Sequence, residues 1–600
     1  MASAFENRLR RTIEMAGTDG QTGPVPVMAT PSVSELASAV KGSTPQIGGP
    51  DFVIAQTPAV FDARDSLSGS EGVNRQVDTY LAARQYPRIG RATIYVSSEA
   101  TNGFAVGNDS NSGLSKALPK LTLSSAHAAA SNGDTIIINN STTPYDCGAF
   151  NTLSKGVTIL PWTAWGVTLR GSSAIATLLI AANNVTLGKL IIDTNSVAGQ
   201  TPVRSNALPC SNLRLIGTRL LAYNALALKH IASLETIGAF QTVSMGATQS
   251  AVQFPSTAAG SVKFGPGAVI DGPMEFNPSV AGVDVVLSGV VARAKPASAG
   301  TAQIAVTVTG ANSLLVEDSE IGVDVSTTPT GIVVRGHATL PCSSVTLRRN
   351  RIRHGVAAAQ AAAGYGIGVG DELSVVGSLG TVVIHDNEIN HANHGLFVGY
   401  GVAGGYSRGN VVRDSVIGVI AKGNTCGYEH RSNIVVGGPL SGGGLRSKLS
   451  NGARFLNNLV VFDASSVAAG TFEQADTTSI ATEFTNNCLY APGLAVSKAT
   501  TVSADSTATF RSNNYFAGSY AAGAFGYGAA TYDTVAAWTS AVETSALAFD
   551  PLFSNAAGGD YRLTAGSPLV NAGAAGGAPL DLIGNAFTSQ VVGPLPVAVS

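Results

Sequence analysis

The sequence predicts an all-β chain, a right-handed parallel β-helix solenoid preceded by a small irregular, partly helical N-terminal segment. Three observations predict it. First, six short segments read alike: 347–352 (LRRNRI), 384–389 (IHDNEI), 431–435 (RSNIV), 455–460 (FLNNLV), 484–489 (FTNNCL) and 510–516 (FRSNNYF). Each sets an asparagine one or two residues before an apolar residue. The aligned asparagines are Asn350, Asn387, Asn433, Asn458, Asn487 and Asn514. Their period, roughly 25 to 45 residues, is that of stacked repeats. Second, charged residues make up only 12% of the chain and glycine 69 of 600 positions; a globular domain carries about 25% charged residues. Third, Val and Thr fill the strand-like runs while Gly, Asn and Ser fill the breaks between them, as pleated strands and tight turns require.

Taken in order, residues 1–90 form the first unit. Phe5, Leu9 and Ile13 recur at helical spacing, which predicts a short amphipathic helix. A second helical turn is expected over 34–40, and a third short helix carries Val77 and Leu81 and stops at Pro87. The Gly48-Gly49-Pro50 break lies between them. This segment has too little apolar content for a large core of its own, so a partner or a neighbouring subunit is expected to order it.

Residues 91–540 form the solenoid. The stretches 184–193, 212–221 and 313–325 have the strand–turn–strand shape, with Ser319 where later coils carry asparagine. Asparagine suits that corner because it tolerates a left-handed backbone and its amide can bond along a ladder of stacked amides. Coils over 200–310 are less regular. Gly366-Ile-Gly-Val-Gly370 lacks a βαβ context and reads as strand glycine rather than a dinucleotide loop. Residues 541–600 close the stack.

Several classes are excluded or unsupported. A net charge of −2 makes no electrostatic case for nucleic acid or an anionic membrane. No apolar run reaches the roughly 18 residues of a membrane span, and the N-terminus shows charges without the apolar stretch of a secretory signal. The five cysteines, Cys147, Cys210, Cys342, Cys426 and Cys488, stand far apart and read as buried small apolar thiols. No cofactor and no metal site is expected: His391-Ala-Asn-His394 with His385 lacks the spacing of a zinc motif.

Five of the eight histidines fall between His354 and His430, with Asp371, Glu372, Asp386, Glu388, Glu429 and Arg431 close by. On the coil pattern Ile384 and Ile389 point inward, and His385 and Glu388 point outward. Equivalent outward residues on neighbouring coils lie about 4.8 Å apart, so Glu320, Arg351 and Glu388 form a column. A glycan groove with two carboxylates would use Glu388, Asp386 and Glu320, with Glu317 as a further candidate, since glycosidases separate such pairs by about 5 to 9.5 Å. An eliminating enzyme would need a base such as His385 and a cation such as Arg351 beside the sugar acid. Arg351, His391, His394, Tyr400, Tyr406 and Arg431 are the candidate substrate-binding residues, the tyrosines (with Tyr365) by stacking on sugar rings. The alternative is a solvated charge ladder of little energetic consequence.

Two stretches carry a resemblance. Residues 94–97 (IYVS), 107–113 (GNDSNSG), 118–121 (LPKL) and 133–136 (GDTI) resemble the entry of right-handed β-helix proteins of the pectate-lyase-like superfamily: a strand, a polar loop, a capping helix and the first coil. Residues 550–553 (DPLF), 559–563 (GDYRL) and 566–569 (GSPL), with the Asn571-Ala-Gly573 turn, resemble its closing coils. A chain with no export signal, an N-terminal adaptor and a long β-helix resembles a bacteriophage tailspike or tail fibre. That resemblance implies a homotrimer located in the virion tail and made in the host cytoplasm. It implies an adaptor, residues 1–90, docked on a baseplate or tail protein, and a shaft that faces host surface polysaccharide. Whether the shaft cleaves the glycan is left open. A free polysaccharide lyase or glycoside hydrolase, and a passive surface adhesin, are the alternatives. The C-terminus departs from many tailspikes, because residues 584–600 show no coiled coil or separate trimerisation domain.

Overall fold

A computed structural model describes residues 92–575, apart from short segments between strands, together with residues 592–593. The helices expected within 1–90 and the thiol of Cys426 lie outside the described residues.

The described residues wind through three sheets of 16, 15 and 16 strands, parallel throughout except for the last strand of the third, Ala530–Tyr532, which pairs antiparallel on Phe525–Tyr527. Sheet 1 runs from Thr93–Val96 to Ala508–Arg511, sheet 2 from Tyr145–Asp146 to Asn514–Tyr520, and sheet 3 from Thr152–Leu153 to Ala530–Tyr532. One coil visits them in that order: Ser313–Glu317, Glu320–Val323 and Pro329–Arg335, after which Cys342–Arg348 pairs in register on Ser313–Glu317. Coils continue without interruption through 200–310, where the sequence pattern is weakest. The interior is a single column of Val, Ile, Leu and Phe side chains. Because each coil buries its apolar face only on its neighbours, the core lengthens with the stack and never thickens.

The entry is capped as its sequence suggests. The helix Leu123–Ala129, N-capped by Thr122, lies between the first two strands of sheet 1. Asp109, in the polar loop, accepts the Leu121 and Thr122 backbone N–H groups at 3.0 and 2.9 Å. Gly107 is required there, since a Cβ would stand 2.2 Å from the Lys120 carbonyl oxygen.

The corner from sheet 1 to sheet 2 is two residues long and explains the asparagine repeat. Its first residue is left-handed: Asp318, Arg349, Asp386, Gly409, Ser432, Asn457, Asn486 and Ser512 have φ of 50–67°. Its second residue is Ser319, Asn350, Asn387, Asn410, Asn433, Asn458, Asn487 or Asn513. The Oδ1 of each asparagine after Asn350 accepts both the backbone N–H and the Nδ2–H of the one before, at 2.8–3.1 Å. The other Nδ2 hydrogen goes to a carbonyl of the preceding coil, as from Asn410 to Ile384 at 2.9 Å. Every buried amide in the ladder is therefore satisfied, which is the condition for burying it.

Three sequence expectations are corrected here. The ladder residue of the last coil is Asn513, because Ser512 takes the left-handed position; Asn514 instead brackets Phe549, accepting its N–H at 2.9 Å and donating to its carbonyl at 3.0 Å. Asn410 is a full ladder member that the aligned segments omit. The left-handed conformation belongs to the residue before the asparagine rather than to the asparagine itself.

The ladder ends on a carboxylate. Glu543 Oε1 accepts the Asn513 N–H and Nδ2–H at 2.8 and 3.0 Å, while Oε2 accepts Tyr515 Oη–H at 2.8 Å and Trp538 Nε1–H at 3.0 Å. Beyond it, the closing segment folds back over sheet 2. Tyr561, Leu563, Leu569 and Val592 cover Ile434, Leu459, Val461 and Cys488. The corner asparagines tie it down: Asn486 pairs with Ala574 at 2.7 and 3.0 Å, and Asn457 Nδ2 donates to the Gly593 carbonyl at 3.3 Å. Cys147, Cys210, Cys342 and Cys488 are free and buried.

Candidate functional site

The candidate residues divide among all three outer faces of the solenoid. On sheet 2, Glu320, Arg351 and Glu388 are register partners on consecutive coils. Arg351 Nε lies 3.2 Å from Glu388 Oε2, and both side chains are well exposed. His391, just beyond this strand, points its Nδ1 at Asp414 Oδ2 across 3.9 Å. The column then becomes Val411, Ile434, Leu459 and Cys488. That change from charged to apolar coincides with the cover supplied by the closing segment.

On sheet 3, His394 is the register partner of Tyr365. Its imidazole lies 5.4 Å from the Tyr365 ring, tilted by 31°, and burial holds its pKa down to about 4. Tyr365 Oη–H donates to Glu372 Oε2 at 2.6 Å, which with Lys422 holds that carboxyl below its usual range against the opposing effect of partial burial. Tyr400 packs over Gly423, where a Cβ would stand 2.4 Å from its ring.

Sheet 1 carries a polar face that continues over several coils. Its inward positions are Leu347, Ile384, Ser407, His430, Phe455, Phe484 and Phe510 in register. The residue before each of these, and the residue after, point outward. The first outward column reads Val383, Tyr406, Glu429, Arg454, Glu483. The second reads Glu317, Arg348, His385, Arg408, Arg431. Asp386, at the corner beside the second column, lies 2.8 Å from His385 Nδ1.

These two columns are wired together. The Arg431 guanidinium lies 3.9 Å over the Tyr406 ring and reaches Glu429 Oε2 at 3.2 Å. Arg454 bridges two coils, donating to Glu429 and, from Nε at 2.8 Å, to Glu483 Oε2. Arg348 binds Glu317 at 2.6 Å. The result is a strip with one aromatic face and alternating acceptors and donors, repeating every coil. The carboxylates of Glu429 and Glu483 both accept from Arg454, and the arrangement suits hydrogen bonding to hydroxyl groups.

The structure thus gathers His385, Asp386, Tyr406 and Arg431 on one face, sets Glu320, Arg351, Glu388 and His391 on a second, and places His394 and Tyr400 on the third. Arg408, Arg454 and Glu483 were missed as candidates. Aligning the repeats on the inward residue three places before each ladder asparagine finds them, since the neighbours of that residue form the two outward columns. Among the described residues no group of three or more His, Cys, Asp or Glu is placed to hold a metal ion.

Fold and face together define a parallel β-helix protein with a long polar, aromatic-bearing solenoid surface. No protein-family model matches the chain, and no curated protein matches it in sequence. Among solved structures it is similar to the Dettilon tailspike protein, at 12% identity over 70% of this chain and 73% of that one, with a TM-score of 0.35. It is also similar to a GH136 lacto-N-biosidase from Eubacterium ramulus, at 10% identity over 72% and 77% of the two chains and a TM-score of 0.25. A PL6 alginate lyase in complex with a trisaccharide matches at 12% identity over 71% and 86%, with a TM-score of 0.26. At these identities and scores the likeness is one of stacked β-helical coils and says nothing of activity.

Proposed function

We propose that this chain is a phage tailspike or tail fibre protein whose solenoid binds polysaccharide on the host cell surface. The observation that carries the binding role is the outward strip of sheet 1. Tyr406 offers the ring face opposite Arg431 for stacking, and Glu429, Arg431, Arg454 and Glu483 offer paired donors and acceptors to successive sugar hydroxyls. Rigid strands hold these groups, so little ordering entropy is lost on binding. The virion role rests on the order of parts in the sequence, a 90-residue Gly/Pro-punctuated segment followed by a solenoid. In this reading residues 1–90 dock on a tail or baseplate protein, residues 91–540 are the shaft, residues 541–600 close it, and the working form is a homotrimer in the virion tail.

Tyr406→Ala tests the binding role. It removes the stacking ring and frees the Arg431 guanidinium, and is expected to weaken binding to purified host-surface polysaccharide at least tenfold with an unchanged melting temperature. Undiminished binding would move the glycan to another face.

A further inference from the structure

Arg408 stands apart from the other arginines in the middle of this strip. Arg348, Arg431 and Arg454 each meet a carboxylate. The Arg408 side chain meets none among the described residues, and its Nε is shut off from solvent without an acceptor. Its register neighbours are His385 on one side and Arg431 on the other, so the cation lies in a basic column. Strands stack at about 4.8 Å, which places like or potentially like charges next to one another. The carboxylates near by are already engaged, Asp386 with His385 and Glu429 with Arg431 and Arg454. A half-buried guanidinium with no counter-charge is costly unless something supplies one. Two residues back along the same strand, on the same face, stands the Tyr406 ring under Arg431.

We infer that Arg408, flanked by His385 and Arg431, is a subsite for an oxyanion borne by a sugar, so that the glycan recognised by this face is acidic. The guanidinium fork matches a carboxylate or a sulfate in bidentate fashion. The neighbouring aromatic ring would take the apolar face of the same or the next sugar. The inference rests on the polysaccharide-binding reading of sheet 1 and adds to it the chemical class of the chain bound.

The test is binding of the full-length protein to immobilised bacterial-surface polysaccharides of three kinds, neutral, uronate-bearing and sulfated. Wild type is compared with Arg408→Gln and Arg408→Lys, and melting temperatures control for folding. Binding confined to acidic chains, lowered at least tenfold by Arg408→Gln and less by Arg408→Lys, is the expected result. The uronate and sulfate members then decide which oxyanion is read. Equal binding of neutral chains, untouched by Arg408→Gln, would overturn the acidic subsite while leaving the glycan-binding face intact. If wild type bound no polysaccharide, the glycan reading itself would fall. The anion subsite would then be decided by titrating glucuronate and sulfate at constant ionic strength: a rise in melting temperature that Arg408→Gln abolishes keeps it, and no rise refutes it.

Discussion

His430 takes the inward position of its coil where the next three coils carry Phe455, Phe484 and Phe510. Its ring stacks 5.1 Å from Phe455, Ser407 Oγ lies 2.8 Å from Nδ1, and Nε2 has no partner. Burial pushes its pKa down to about 3, and burial likewise holds His354 and His394 near 4. Imidazoles kept neutral in the native state take up protons on unfolding below their ordinary value of about 6.5. Their contribution is therefore intact at neutral pH and lost as the pH falls from about 6.5 towards 4, at about 1.4 kcal/mol per pH unit for each group. We expect the melting temperature to drop over that window and His430→Phe, which continues the stack, to make the drop shallower. An unchanged slope would mean that His430 is protonated without cost. The histidine enrichment between 354 and 430 is plain in the sequence, but two of the five residues, His354 and His430, are core residues. Only the inward–outward phase of each coil separates them from His385, and that phase becomes legible once the repeats are aligned on the inward residue.

At the scale of the element, the corner between sheets 1 and 2 is the unit that repeats. The asparagine in it was legible because its chemistry is demanding: a buried amide must find partners for two hydrogens and an oxygen. Asn410 escaped notice because its coil carries Ser407 rather than an apolar inward residue. Glu543 escaped because nothing in its sequence neighbourhood marks a carboxylate that takes the place of the next amide. Asn410→Ala leaves two donors of Asn387 without their acceptor and is expected to cost about 2–6 kcal/mol, at about 1–3 kcal/mol per orphaned buried group. Glu543→Ala orphans four donors at the end of the ladder and is expected to cost more than Asn410→Ala. Denaturant midpoints of the two variants check both the size and the order. Burial raises the Glu543 pKa to about 7 against the opposing pull of its four donors. Its native state then holds a proton that the unfolded chain releases above about 4.5, so its own contribution declines as the pH rises from about 4.5 to 7, opposite to the histidines.

For the whole molecule, the solenoid and its capped entry follow from sequence patterns, whereas the distribution of the polar residues over three faces does not. In sequence, the column of 320, 351 and 388 reads as lining one groove with 385 and 386 because all flank the same corner, yet the corner turns the chain onto a new sheet and separates them. The course of the closing segment was equally hidden, since the contacts of Asn457 and Asn486 with residues 574 and 593 are long-range. Assembly is the next property to settle at this scale. Light scattering on the purified full-length protein is expected to return about three times 60.7 kDa, and a monomer would remove the tailspike reading while leaving the glycan-binding face. The most direct test of that face is a crystal structure of the protein with a fragment of the polysaccharide it retains. The account predicts sugar density along the outward strip of sheet 1, over Tyr406 and beside Arg408, Arg431 and Arg454. Density on sheet 2 around Arg351 and Glu388, or on sheet 3 near Tyr365, would contradict it.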